Sequence, residues 1–318
     1  MFLEYFKITG QAIGQIFILG ALGFFLVKKT LLPSAGLDAL SRLVIQVIFP
    51  ALIFTQMLQN FSFDLYPNWW IFPLISLAIT ALGLTVGLLL LRFLKLKTDR
   101  LQFLSLVGFQ NSGYLPLAIV AAIFSGQEAK NIFIFIFLFL LGFDLIAWSI
   151  GIYMLTYEKK AKFRLASIFS PPVIANLATL LIIALGLNKF IPQSILKPVQ
   201  MLGNCTLPLA MLVVGGNIAA VQLKDVDKKN VFFFLLGKLI ILPALGIWVV
   251  LKLGLPQLIG FLIVMQLAMP SATSLSVIIR HYKREDVLIS QGVFFSHMIS
   301  LLTIPLFLSL YLSLVVLK

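Results

Sequence analysis

Two stretches of the chain place polar and helix-breaking residues inside apolar runs. Residues 108–119 read GFQNSGYLPLAI, and residues 266–274 read QLAMPSATS. The first offers Asn111, Ser112, Gly113 and Tyr114 ahead of Pro116; the second offers Ser271 and Thr273 after Pro270. Amide and hydroxyl side chains bind by hydrogen bonding. Proline removes an N–H and clashes with the carbonyl one turn back, and Gly113 adds freedom, so each stretch predicts an interrupted helix. In lipid every unsatisfied peptide group is costly, and such breaks are tolerable only where they face protein or a wet cavity. Half-helix ends that meet there present N–H groups with positive partial charge and carbonyls with negative partial charge. The chemistry expected is the holding of an anion, a cation, or one of each, by the freed backbone and its polar neighbours.

Three titratable residues lie deep in other apolar runs: Asp144, Lys238 and His297. Ionisable groups within a membrane are functional candidates by default because burying charge is expensive. Asp144 is a candidate proton carrier, and Lys238 a candidate partner for it or a holder of an anion. His297 is a candidate for titration near neutral pH. The competing readings are a structural Asp144–Lys238 pair that joins two helices and a helix–helix hydrogen bond from His297. Gln46 and Asn204 each stand four residues before a proline, Pro50 and Pro208, as candidates for substrate contact or for interhelical hydrogen bonding. No metal-ligand cluster, H-E-x-x-H or G-x-S-x-G occurs, and the two histidines, His281 and His297, are far apart in the chain. These absences argue against an enzyme and against a cofactor, and leave H+ or Na+ as the coupling ions to consider. The broken stretches hold no Asp or Glu to complete a sodium site, which favours protons or a potential-driven uniport. A channel would share polar breaks at the midplane.

The elements that must position these residues follow from composition. The 318 residues are 61% hydrophobic and 11% charged, against about 45–50% and about 25% in soluble domains. Lipid must therefore solvate much of the surface. A bilayer core of about 30 Å needs about 20 apolar residues of helix. Cutting the apolar runs at charges and Pro/Gly/Asn clusters predicts ten spans, at 10–28, 39–58, 69–92, 101–125, 130–156, 171–188, 198–219, 230–251, 256–280 and 287–315. With both termini outside, the inner loops collect seventeen of the 24 Lys and Arg, around 28–42, 92–100, 159–164, 224–229 and 280–284. The net charge of +13 is then an orientation signal rather than a nucleic-acid surface. The single cysteine, Cys205, excludes an intrachain disulfide and reads as a small buried residue. Gly10 with Gly14, and Gly83 with Gly87, are small-xxx-small patterns suited to tight packing within the chain or in a homodimer. The first apolar run ends at Lys28-Lys29 without a small-residue cleavage site and reads as a retained span.

A shift of about half the chain lays QVIFPALIF (46–54) on NCTLPLAML (204–212), and LKL at 94–96 on LKL at 251–253. Five spans per half reverse the entry side. The fold class expected is therefore an all-α polytopic membrane protein of two inverted five-helix repeats, 1–157 and 158–318, with broken helices four and nine. Inverted repeats are the plan of many secondary transporters.

FQNSGYLPLAI (109–119) resembles the fourth-span signature of the auxin efflux carrier family. VIFPALIF (47–54) and QLAMPSATSLSVII (266–279) resemble its second and ninth spans. The resemblance covers nearly the whole chain, and sodium/bile-acid-type carriers are related in architecture. It implies a transport domain of spans 3–5 and 8–10 moving against a scaffold of spans 1, 2, 6 and 7, by elevator-type alternating access, with an organic anion as substrate. It implies that Asn111 helps to hold a substrate carboxylate and that Pro116 and Pro270 mark the crossovers. The short 157–168 linker is unlike the long central loop of many plant members and suits a compact prokaryotic-type carrier of the cell (inner) membrane. Small carboxylates such as malate or malonate are the alternative to an auxin-like substrate. A sodium-coupled symporter of the bile-acid carrier type is the alternative mechanism.

Overall fold

The structure, a computed structural model, describes residues 1–94, 100–156, 169–221, 226–275 and 287–316. Among these residues the secondary structure is helical apart from one isolated two-residue bridge. Seven helical stretches are long and apolar enough to cross a membrane, and Tyr114–Ile123, Pro171–Ala184 and Gln257–Ala268 are shorter apolar helices. Most of the basic loops used to orient the chain, and the half-helix expected at 276–280, lie outside the described residues.

In chain order, α1 is Phe2–Lys28; α2 (Ser34–Leu43) runs through a π turn at Val44–Ile48 into α3 (Phe49–Asn60); α4 is Ile71–Leu91. Then α5 (Arg100–Gly108) and α6 (Tyr114–Ile123) share one interrupted stretch. The next stretch is α7 (Gly126–Ile146), a π turn at Ala147–Gly151, and α8 (Ile152–Thr156). It is followed by α9 (Pro171–Ala184), α10 (Gln193–Asn204) and α11 (Thr206–Ala219). A third π turn, Gly237–Ile241, joins α12 (Lys228–Leu236) to α13 (Leu242–Leu253). The last helices are α14 (Gln257–Ala268) and α15 (Val287–Val316).

Two of the π turns stand just before a proline, Pro50 in α3 and Pro243 in α13. A proline cannot donate to the carbonyl four residues back, and a widened turn accommodates its ring without ending the helix. The amide-then-proline pattern thus has a backbone consequence: Gln46 lies in the first π turn, and Asn204 ends α10 where the chain bends into α11.

The core is built around α14 and the run Ile132–Phe143 of α7. Every residue from Gly260 to Ala268 is buried, so α14 has no lipid-facing stripe. Outward faces are apolar too, with Leu22 and Phe25 on α1, Leu177 and Leu181 on α9, and Met201 on α10 exposed. Cys205 is exposed rather than buried, because it sits at the bend between α10 and α11. The glycines divide differently from expectation. A Cβ on Gly10 or Gly14 would meet nothing within 4 Å, so these two pack against no other helix of the chain. Gly83 does allow close approach: its Cβ would lie 3.0 Å from the Gly108 Cα and 3.1 Å from the Val107 carbonyl oxygen. The tightest joint is α1 on α11, where Gly23 faces the Leu212 backbone and Gly215 faces the Gly20 backbone with no room for a methyl group.

Candidate functional site

The two interrupted stretches meet. Gln110 and Ser271 form the antiparallel bridge. The Asn111 N–H donates to the Pro270 carbonyl at 2.8 Å, and the Ala272 N–H donates to the Phe109 carbonyl at 3.0 Å. The backbone groups released by the breaks thus satisfy one another, which is what a bilayer interior demands of non-helical chain. The amide end of α6 takes no part in this exchange, and together with the neighbouring side chains it is what remains to bind a ligand. Pro116 is the third residue of α6, within the first turn, where helical N–H groups have no intrahelical partner. It starts the second half-helix rather than causing the break. Gly113 has φ −105°, and a Cβ there would make an ordinary 3.6 Å contact with the Phe49 ring, so the break does not depend on glycine's extra freedom.

The carbonyl end of α5 is fully occupied through three successive residues. The Phe109 N–H donates to Ser105 O at 2.9 Å, the Ser271 hydroxyl to Leu106 O at 2.6 Å, and Lys238 Nζ to Val107 O at 3.0 Å. Lys238 is 1% exposed and projects from the π turn at 237–241. It does not pair with Asp144 as the sequence allowed. Asp144 accepts a 3.1 Å hydrogen bond from Ser170, the N-cap of α9.

The amide end of α6 is different. Its N-cap, Gly113, has no side chain to cap it. Beside it, Gln110 Nε2 and Asn111 Nδ2 are buried donors with no hydrogen-bond partner. Gln266 donates through Nε2 to Ser112 O at 3.1 Å; a carbonyl can only accept, so the amide orientation is fixed and Gln266 Oε1 is left as an unpaired acceptor. Ser112 and Ser271 are buried, Thr273 is half-buried in the turn after the bridge, and Tyr114 leans on Phe49 of α3 with ring centroids 5.0 Å apart. Positive partial charge at the start of α6 and unpaired buried N–H groups on the two residues of the bridge segment before it suit an anion.

A cavity of about 370 Å³ lies between α1, α6, α11 and α15, walled by apolar residues that include Phe17, Leu115, Met211 and Phe294. Leu115 is the second residue of α6, so the cavity reaches the start of that half-helix. His297 also lines it. The expected helix–helix bond from His297 is absent: Nδ1 bonds Val293 O of its own helix at 2.8 Å, which requires the proton on Nδ1 and leaves the buried, unpartnered Nε2 as an acceptor. Gln46 and Asn204 are exposed. Their helices meet nearby, where Thr206 Oγ1 donates to Ile48 O at 3.2 Å and Gly203 packs on the Leu52 backbone. Gln110 and Gln266 stand in the two interrupted stretches but were not among the candidate site residues, and Ser170 was not singled out from sequence. The first two carried a readable signal, an amide side chain inside an otherwise apolar helix-length run.

A helical bundle with several membrane-length apolar helices and paired, buried helix interruptions defines a multi-pass membrane protein of the transporter class. The sequence profile described as membrane transport protein, that of the auxin efflux carriers, matches residues 10–308, and the chain belongs to this family. An uncharacterized transporter of Methanocaldococcus jannaschii is 26% identical over 304 residues, covering 92% of this chain and 95% of that protein. An uncharacterized transporter of Methanothermobacter thermautotrophicus is 25% identical over 301 residues, covering 93% and 96%. PIN-LIKES 1 of Arabidopsis thaliana is 22% identical over 352 residues, covering 87% of this chain and 73% of the plant protein.

Proposed function

We propose that this membrane transporter carries a small organic anion, a carboxylate, by elevator-type alternating access driven by protons or membrane potential. The observation that carries the reading is the pair of unpartnered donors, Gln110 Nε2 and Asn111 Nδ2, beside the uncapped amide end of α6. A buried amide donor without a partner is costly, and a carboxylate offers strong acceptors for such donors.

In this reading the chain is two inverted repeats, 1–157 and 158–318, and spans four and nine cross at the bridge. Contacts between residues about half a chain apart support it: Thr206 with Ile48, 158 residues apart, and Gln266 with Ser112, 154 apart. A two-fold axis relating the repeats brings equivalent residues together where it passes through the bundle. The scaffold comprises α1–α3 and α9–α11, and the transport body α4–α8 and α12–α15. Both termini lie outside the cell membrane. Asp144, on the transport body and bonded to Ser170 of the scaffold, is placed to link a proton to movement between the two.

The test is a thermal-shift screen of the purified protein against carboxylates, followed by flux of any hit in proteoliposomes. Saturation and counterflow are expected. Large non-saturating currents would instead make the protein a channel, and the absence of any carboxylate response would remove the anion reading.

A further inference from the structure

We propose that Lys238 is the resident cation of the paired breaks, its ammonium standing at the carbonyl end of α5 where a carrier could otherwise hold a sodium ion, so that this protein works without sodium. The proposal rests on the transport reading above and adds the identity of the cation. Half-helix carbonyl ends carry partial negative charge, and in broken-helix transporters such ends coordinate sodium. Here the α5 end offers hard oxygen donors close together: the Leu106 and Val107 carbonyls and the Ser271 hydroxyl, which itself bonds Leu106 O. Lys238 Nζ takes Val107 O at 3.0 Å.

The placement is built rather than incidental. The π turn Gly237–Ile241 inserts an extra residue into the helix and re-aims the side chain. Gly237 lets that turn close onto Leu90 of α4, where a Cβ would collide. The turn packs among α4, α5, α14 and α15, and Lys238 is not among the residues lining the apolar cavity. The ammonium therefore sits within the transport body and travels with it. Burying an ammonium is expensive, and its place at the partly negative end of α5 gives it a use: a positive charge there offsets the negative charge of a bound carboxylate. An exchangeable metal ion would do the same only while bound.

The experiment measures thermal unfolding midpoints of the purified full chain in sodium, choline and methylammonium chloride at equal ionic strength. Wild type and Lys238→Arg are expected to show the same midpoint in sodium as in choline. Lys238→Ala, which leaves the oxygens and removes the ammonium, is expected to rise by about 2–4 °C in methylammonium or sodium over choline, the size of shift produced by roughly 1 kcal/mol of bound-state stabilisation. A sodium-specific rise in wild type or in Lys238→Arg overturns the proposal, and so does a Lys238→Ala midpoint equal in all three salts. If Lys238→Ala yields no folded protein, the wild-type and Lys238→Arg comparison decides by the same criterion. Carboxylate flux is read separately, so a failure of the anion reading and a failure of this one are told apart.

Discussion

Asn111→Ala and Ser271→Ala should have opposite effects on stability and flux. Both residues are buried at the bridge, 5% and 0% exposed. The Ser271 hydroxyl donates to Leu106 O at 2.6 Å. Truncating it leaves a buried carbonyl without a donor, a loss of about 1–3 kcal/mol. Asn111 Nδ2 has no partner, so truncating it removes an unsatisfied donor, while the backbone N–H that bonds Pro270 O is untouched. Asn111→Ala should therefore unfold at the wild-type midpoint or above it. Its defect should appear in transport. A hydrogen bond to a carboxylate contributes about 1.5–3 kcal/mol, so its loss weakens substrate binding by roughly 10- to 100-fold. The assays are thermal unfolding in detergent and carboxylate flux in proteoliposomes at sub-saturating substrate. An Asn111→Ala protein as destabilised as Ser271→Ala, with wild-type flux, would refute the assignment of the unpaired amide to the substrate.

Three further outcomes are expected. Asp144→Asn keeps an acceptor for Ser170 and should fold normally, but flux should no longer respond to an imposed pH gradient; a wild-type response removes Asp144 from coupling. Pro270→Ala should impair flux while the protein remains folded in the membrane, as judged by detergent-extracted yield and a monodisperse elution profile. Gly215→Ala drives a methyl group into the Gly20 backbone, which cannot yield as a flexible side chain would; a loss of about 1–3 kcal/mol is expected, read as a lowered unfolding midpoint, whereas Gly10→Ala should leave the midpoint unchanged.

Much of the scaffold of this molecule could be read from residue types. Apolar length predicted a multi-pass helical membrane protein, of which seven helical stretches have membrane length against the ten spans expected, and Pro116 and Pro270 lie at the two interruptions. What composition did not disclose was pairing. Nothing in QNSGYLP or LAMPSATS announces that Asn111 N–H will find Pro270 O, because backbone partners are set by how helices cross and not by side-chain type. The same reason explains Lys238. A buried lysine with a buried aspartate elsewhere in the chain invites an ion pair, yet Lys238 satisfies a carbonyl at a helix end, a partner every residue carries and no sequence pattern marks. Glycine spacing misled in the same way. Gly10 and Gly14 have the four-residue spacing of a packing face, but the close joint falls at Gly20 against Gly215 and Gly23 against Leu212, since α11 crosses α1 nearer its C-terminal end.

The hydrogen bonds also divide in a way that bears on movement. Those that form the candidate site lie within one set of helices: the bridge, Ser271 to Leu106, Lys238 to Val107, and Gln266 to Ser112. The glycine joint of α1 on α11 and the Thr206–Ile48 bond lie within the other. Between the sets run the Thr9–Ser309 hydroxyl pair at 2.8 Å, Ser170 to Asp144, Asn176 to the Phe137 carbonyl at 3.1 Å, and the Tyr114–Phe49 ring contact. Net contributions of about 0.5–1.5 kcal/mol for each such hydrogen bond and a similar amount for the rings sum to a few kcal/mol. A ligand shifts an equilibrium between two arrangements only by as much as its affinity for the two differs. In the proposed movement the paired breaks would stay together, because their bonds lie among α5, α6 and α14. A carrier built this way would keep its binding site intact while the contacts at its border, the α1–α15 packing among them, are exchanged.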